Sequence, residues 1–225
     1  MTYFYHLMED IMVEVRQYKT IKEEAIHEID IQKSRFISHI FPVASEDEAK
    51  ACIERIRKEH WKATHNCFAY TIGENQAIQK ASDDGEPTGT AGVPILEVLK
   101  KQRLEDTLVI VTRYFGGIKL GAGGLIRAYS NSTSEGLKVA NVIERIPSQT
   151  IRIQISYPLL GSIENALRQS SYIVKDMHYT ENVLIDVYVK LVEVDLFKKW
   201  ITDITNAQCQ LETIETGYLD KIIEN

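Results

Sequence analysis

The sequence predicts an α+β fold in two domains, and three observations carry that prediction. The chain has 225 residues, room for two domains of ~100 residues each. From residue 147 the pattern runs strand, helix, strand, strand, helix, strand, the split β-α-β arrangement of ferredoxin-like domains. Before it, segments of period two and period 3.6 surround one continuous apolar run, TLVIVTRYF (Thr107–Phe115). The expected organisation is an extension over 1–19, partly disordered, a first domain over 20–146 and a second over 147–225.

The elements follow in order. Residues 23–43, EEAIHEIDIQKSRFISHIFPV, alternate apolar and polar and read as two strands around a polar turn. SEDEAKACIERIRKEH opens with a capping box, Ser45 and Glu48, and puts Ala49, Cys52, Ile53 and Ile56 on one helical face. HNCFAYTIG is a strand, and NQAIQKAS its hairpin partner. DDGEPTGTAGVP is a polar loop leading into the helix PILEVLKKQRL, with Pro94 suited to a first turn. TLVIVTRYF reads as a central strand buried on both faces. A helix over LIRAYSNSTSEGLKVANVI follows; its middle is poor helix material, so tertiary packing must hold it. Pro147 and Ser148 mark a change of pattern. Beyond them come the strand TIRIQISYP, the helix LLGSIENALRQS, a hairpin around Glu181 and Asn182, the helix EVDLFKKWITDITN and a closing strand, CQLETIETGYL.

Composition narrows the function. Net charge is −6 and the pI near 5.6, so contact with nucleic acid must use a local patch rather than the overall field. Cys52, Cys67 and Cys209 stand apart with no CxxC pair, which predicts neither a zinc site nor a disulfide and points to a reducing, cytoplasmic setting. No apolar run reaches the ~20 residues of a membrane span, and the start lacks the pattern of a secretory signal. No cofactor or metal is expected.

The chemistry concentrates in TRYFGGIKLGAGGLIRAY (Thr112–Tyr129). It holds five glycines, Gly116, Gly117, Gly121, Gly123 and Gly124, and three cations, Arg113, Lys119 and Arg127. No carboxylate occurs from Thr107 to Ser134. A glycine turn between a strand and a helix leaves backbone N–H groups free at the helix start, a seat for phosphate or carboxylate. Arginines add bidentate contacts and lysine a point charge. Tyr114 beside them could stack a base. Neither the Walker spacing nor the dinucleotide fingerprint is met, since Ile126 stands where the third glycine belongs. The alternative is a plain tight turn with solvated cations. Asp83, Asp84 and Glu86 crowd together in the polar loop and could serve as acid and base or bind a cation, or simply form a surface turn. His65 and Cys67 share one side of a strand. A thiolate–imidazole pair is one reading, a buried apolar cysteine the other.

These stretches resemble a known family. SRFIS (Ser34–Ser38), ATHNCFAY (Ala63–Tyr70), DDGEPTGTAGVPILEVL (Asp83–Leu99) and VIVTRYFGGIKLGAGGLIRAY (Val109–Tyr129) are similar to the IMPACT family, in its bacterial YigZ/YvyE-type members. The resemblance covers about residues 20–135, and the remainder resembles the small C-terminal domain of bacterial members. It implies a first domain like the second domain of a ribosomal protein family shared with GHMP kinases, and a second like the last domain of elongation factor G. The GHMP phosphate loop, P-x-x-x-G-L-x-S-S, is only echoed in GAGGLIRAYSNS, which weakens a kinase reading. Eukaryotic relatives regulate translation under amino-acid starvation, and bacterial members carry a suspected nucleic-acid or ribosome link. Three functions are therefore expected in descending order. The first is a cytosolic RNA- or ribosome-binding protein with a phosphate seat at the glycine loop. The second is an enzyme on a small phosphorylated or carboxylated substrate, using His65, Asp83, Asp84 and Glu86. The third is a protein–protein adaptor working through the C-terminal sheet.

Overall fold

The computed structural model describes residues 15–223. The start of the expected N-terminal extension lies outside them. The chain divides into two compact units, Tyr18–Arg145 completed by residues from Asp220 onward, and Ile146–Leu219. The architecture is α+β.

The first unit is built on a five-stranded sheet in the order β2-β3-β6-β4-β5. Its strands are β2 (Ala25–Ile31), β3 (Ser34–Pro42), β4 (His65–Ile72), β5 (Ile78–Ser82) and β6 (Thr107–Tyr114). Every neighbouring pair is antiparallel. Helix α1 (Glu46–Glu59) covers one face; α2 (Gly92–Gln102) and α3 (Gly121–Val139) cover the other. The period of two explains the apolar run. Leu108 and Ile110 of β6 pack with Ile53 and Ile56 of α1, while Val109 and Val111 pack with Ile95, Leu125 and Tyr129 of α2 and α3. β6 is central and buried on both faces, although the sheet is antiparallel.

Helix α1 starts with one half of its capping box, the Glu48 amide donating to Ser45 Oγ at 3.2 Å, while the Glu48 carboxylate reaches one residue further back and takes the Ala44 amide at 2.7 Å. Two residues assigned to a loose extension, Tyr18 and Lys19, belong instead to a strand, β1 (Tyr18–Ile21). It pairs with Val142–Arg145 of β7 (Val142–Ile155) and buries Ile21. Four residues are too short for the alternation to signal a strand. Pro147 does not break β7, because it falls between the segment paired with β1 and the segment paired with β9 (Val183–Lys190).

In the second unit the order β7, α4 (Leu160–Arg168), β8 (Ile173–Tyr179), β9, α5 (Val194–Ile204), β10 (Gln210–Ile222) matches the predicted β-α-β-β-α-β. Both helices pack on one sheet face through Ile163, Leu167, Phe197 and Ile201. The opposite face carries Arg152 doubly bonded to Asp186 at 2.7 and 2.8 Å, and Glu215 joined to Thr150 and Lys175. No helix among the described residues is long and apolar enough to cross a membrane.

Candidate functional site

Antiparallel pairing places the end of β6, the start of β4, the end of β5 and the β2–β3 turn at one end of the first sheet. Helices α2 and α3 both begin there, each within a few residues of the strand or loop that precedes it. The sequence-predicted residues therefore do converge on one end of one unit. Their environments separate them into two groups.

The loop carboxylates are engaged by the protein itself. Asp83 accepts the amides of Gly89, Ala91 and Gly92 at 2.8, 3.0 and 2.8 Å, so its side chain caps α2 from a distance. Burial pushes its carboxyl upward, but those amides outweigh burial and hold it below the usual carboxylate range. Asp84 accepts the Asn66 amide at 2.7 Å and the Arg57 guanidinium at 3.1 Å. Glu86 is buried. Its Oε1 takes Arg113 at 2.6 Å and the Tyr129 hydroxyl at 2.8 Å.

Arg113 thus differs from the expected surface phosphate ligand. It continues the inward parity of Val109 and Val111, is 5% exposed, and meets Glu86 with Ser34 Oγ at 3.4 Å on its other arm. Cys67 donates to the Asp83 carbonyl at 2.9 Å, and burial pushes its thiol up to about 12, which keeps it protonated and removes it as a nucleophile. Burial first, and then Cys67 and Glu86, also raise the Tyr129 hydroxyl far above the usual tyrosine range.

The glycines divide as well. The Gly116 amide is spent on Ser34 Oγ at 3.2 Å, and a Cβ there would lie 1.8 Å from the Lys33 carbonyl, so only glycine fits. Gly117 and Gly121 take φ of +86° and +69°, which turns the chain into α3. Gly124 is the first residue inside the ladder, where its amide reaches back to Leu120. The amides of Gly121, Ala122 and Gly123 precede the ladder, and no side-chain cap is made to them among the described residues. This helix start is exposed, lacks an acidic residue in its first turn, and carries Lys119 and Arg127 exposed beside it.

Sequence reasoning missed the residues that border this seat. The loop after α1 is tied to β6: the Thr64 amide donates to the Arg113 carbonyl at 2.9 Å, and the Phe115 amide to Thr64 Oγ at 3.2 Å. That brings Trp61, 73% exposed with Lys62 over its ring, to the same end as Phe115, 46% exposed. Lys33 lies against Gly116, and Arg35 stacks on Tyr114 at 4.6 Å. Tyr114 is engaged further, by His60 Nδ1 at 3.0 Å. The exposed aromatic rings are therefore Trp61, with Lys62 over one face, and Phe115, with the Arg113 guanidinium 5.4 Å from its centre. The one available signal was an exposed-type WK pair just after a predicted helix.

A two-unit α+β protein with a basic, glycine-built helix start on its first unit defines a class, and comparison with known proteins gives that class a family. The Impact N-terminal domain matches residues 32–137, and the Domain of unknown function (DUF1949) matches residues 153–208. IMPACT family member YvyE of Bacillus subtilis (strain 168) is 54% identical over 94% of this chain and 97% of its own length. IMPACT family member YigZ of Escherichia coli (strain K12) is 35% identical over 83% of this chain and 92% of its own. Protein IMPACT of Xenopus laevis is 36% identical over 41% of this chain and 31% of its own. A solved structure described as that of an hypothetical protein is 32% identical, with a TM-score of 0.56, over 89% of this chain and 98% of that one. The chain belongs to the IMPACT family.

Proposed function

We propose that this protein is a cytosolic nucleic-acid-binding protein that contacts RNA, on or off the ribosome, and acts in the control of translation. The observation that carries the reading is the uncapped, carboxylate-free start of α3, with the Gly121, Ala122 and Gly123 amides exposed between Lys119 and Arg127. Amides at a helix start favour negative charge, and two flanking cations strengthen that preference. Trp61 and Phe115 at the same end supply π-faces on which unpaired bases stack whatever their identity. A single strand with splayed bases fits this combination better than a duplex. Protein IMPACT of Xenopus laevis is 36% identical over 41% of this chain, and the Impact N-terminal domain lies within the first unit, which supports a common role for that unit.

The partners that Asp83, Asp84 and Glu86 hold within the protein favour the binding reading over the enzyme reading.

Filter binding against ribosomal RNA in rising salt tests the proposal. Neutralising two or three phosphates of a single strand gives a log–log slope of about −1.4 to −2.1. Lys119→Glu combined with Arg127→Glu is expected to abolish binding while leaving the circular-dichroism spectrum unchanged. Binding that ignores salt, or that survives both reversals, overturns the reading.

A further inference from the structure

One cavity of the first unit gathers positive charge away from the glycine loop. Its volume is about 230 Å³, and Lys19, Lys101, Gln102, Arg103, Val142 and Ile223 line it. All six belong to the unit that the residues from Asp220 onward complete. Helix α2 begins at the same end of the sheet as α3 and finishes at this cavity, about 15 Å along its axis. Backbone contacts hold the walls together. The Lys19 carbonyl takes the Glu105 amide at 2.8 Å, Lys19 bridges to Leu104, and the Val142 carbonyl takes the Ile223 amide at 2.9 Å.

Three of the six residues are cations and none is an acid. Lys19, Lys101 and Arg103 make no ion pair among the described residues. Lys100 is taken by Glu97 at 2.9 Å, whereas Glu144, opposite Lys19 in the β1–β7 register, makes no ion pair with it. The cations do not cap α2 either. The Leu99 and Lys100 carbonyls are already taken by the Arg103 and Leu104 amides and by Gln76 Nε2. Arg103 stands in the left-handed region, φ +55° and ψ +39°, at the helix-ending position where glycine or asparagine is usual. An arginine there carries strain that glycine does not.

We infer that this cavity is a second anion site, independent of the α3 start, for a small ligand of the phosphate class with at least two negative charges. Three unpaired cations call for more charge than one carboxylate brings. The guanidinium fork of Arg103 matches two phosphate oxygens, and the ammonium groups of Lys19 and Lys101 supply point charges to the others. The volume lies below the ~300–1,000 Å³ of pockets that enclose a drug-sized ligand, so a diphosphate group fits it and a whole nucleotide does not. Val142 and Ile223, which pack on the first core, close the cavity with an apolar wall.

The probe is pyrophosphate, added to the full chain, with sodium chloride at matched ionic strength as the control. At a hundredfold excess over its Kd the melting midpoint is expected to rise by about 5–10 °C. Arg103→Gly is expected to melt no lower than the wild type without ligand, because it relieves the left-handed strain, and yet to lose the pyrophosphate shift. Lys19→Gln, which leaves that turn alone, is expected to lose most of the shift. Lys119→Glu combined with Arg127→Glu is expected to keep it. Phosphorus NMR of pyrophosphate with the wild type, where the line should broaden, needs no variant to fold. A midpoint that moves no further than in chloride, or a shift kept in both Arg103→Gly and Lys19→Gln, overturns the site. A shift lost in the Lys119→Glu, Arg127→Glu variant assigns the anion to the α3 start and likewise overturns the cavity.

Discussion

At the scale of single residues, polarity in the sequence does not disclose burial. Arg113 and Glu86 read as surface charges in a loop and at a strand end, yet both are buried and paired. The strand parity shared with Val109 and Val111 was the legible clue for Arg113; the position of Glu86 depends on a loop whose path no local rule fixes. Removing one member of such a pair strands the other. Arg113→Ala is expected to cost about 3–5 kcal/mol in urea unfolding, far more than Lys119→Ala on the surface. His39 offers a second test. It lies in β3, 1% exposed, with neither ring nitrogen hydrogen-bonded, its ring 4.9 Å from that of His60. Burial, then the neighbouring His60 and Arg55, lower its pKa from 6.5 to about 4. The unfolded chain therefore binds a proton between those values and the folded chain does not, so stability falls as pH falls through that window. The loss amounts to about 3 kcal/mol by pH 4. Unfolding of His39→Leu should show a correspondingly smaller difference between pH 7.5 and pH 4.

At the scale of elements, the two helices that start at this end of the first sheet make opposite use of the same physics. The α2 start is closed by Asp83, whose carboxylate takes three amides; the α3 start has no side-chain cap among the described residues. An internal carboxylate shows what an external phosphate would find at a helix start in this fold. The local elements were legible because period, capping box and turn residues are local signals: α1, the central strand β6 and the whole β-α-β-β-α-β order emerged that way. The role of Asp83 was not, because its partners lie six to nine residues on and are brought to it by the loop's fold. Composition left the acidic cluster open between chemistry and a plain turn; its carboxylates in fact brace the loop, α2 and Arg113. Asp83→Asn is expected to destabilise the protein by about 1–2 kcal/mol. Its carboxyl is held below the ordinary value, so the stability it confers is present above pH ~4 and is lost as pH falls through the lower, folded-state value. At pH 3 the difference between wild type and Asp83→Asn should narrow, as measured by thermal melts.

At the scale of the whole molecule, the chain order decides what can be removed. The unit formed by Tyr18–Arg145 is completed by residues that follow the entire second unit. Asp220 accepts from Arg145 Nε at 3.2 Å, the Ile223 amide donates to the Val142 carbonyl at 2.9 Å, and the Ile223 side chain packs on the first core. Cutting the chain near Pro147 to isolate the first unit would therefore strip it of a backbone hydrogen bond, an ion pair and a partly buried isoleucine. The net charge of −6 adds a second consequence. A field of that sign repels nucleic acid, so the proposed binding would depend on the local cations Lys119 and Arg127 and on the stability of the unit that carries them. A chain ending at Leu219 is thus expected to lose about 1–2 kcal/mol in the unfolding of the first unit, the sum of partial isoleucine burial and one backbone bond. The second unit retains its core helices and strands in that truncation. Fluorescence of Trp61 and Trp200, one in each unit, read separately through single Trp→Phe variants, distinguishes the two transitions. An unchanged midpoint for the Trp61 signal would show that the returning segment contributes nothing to the first unit.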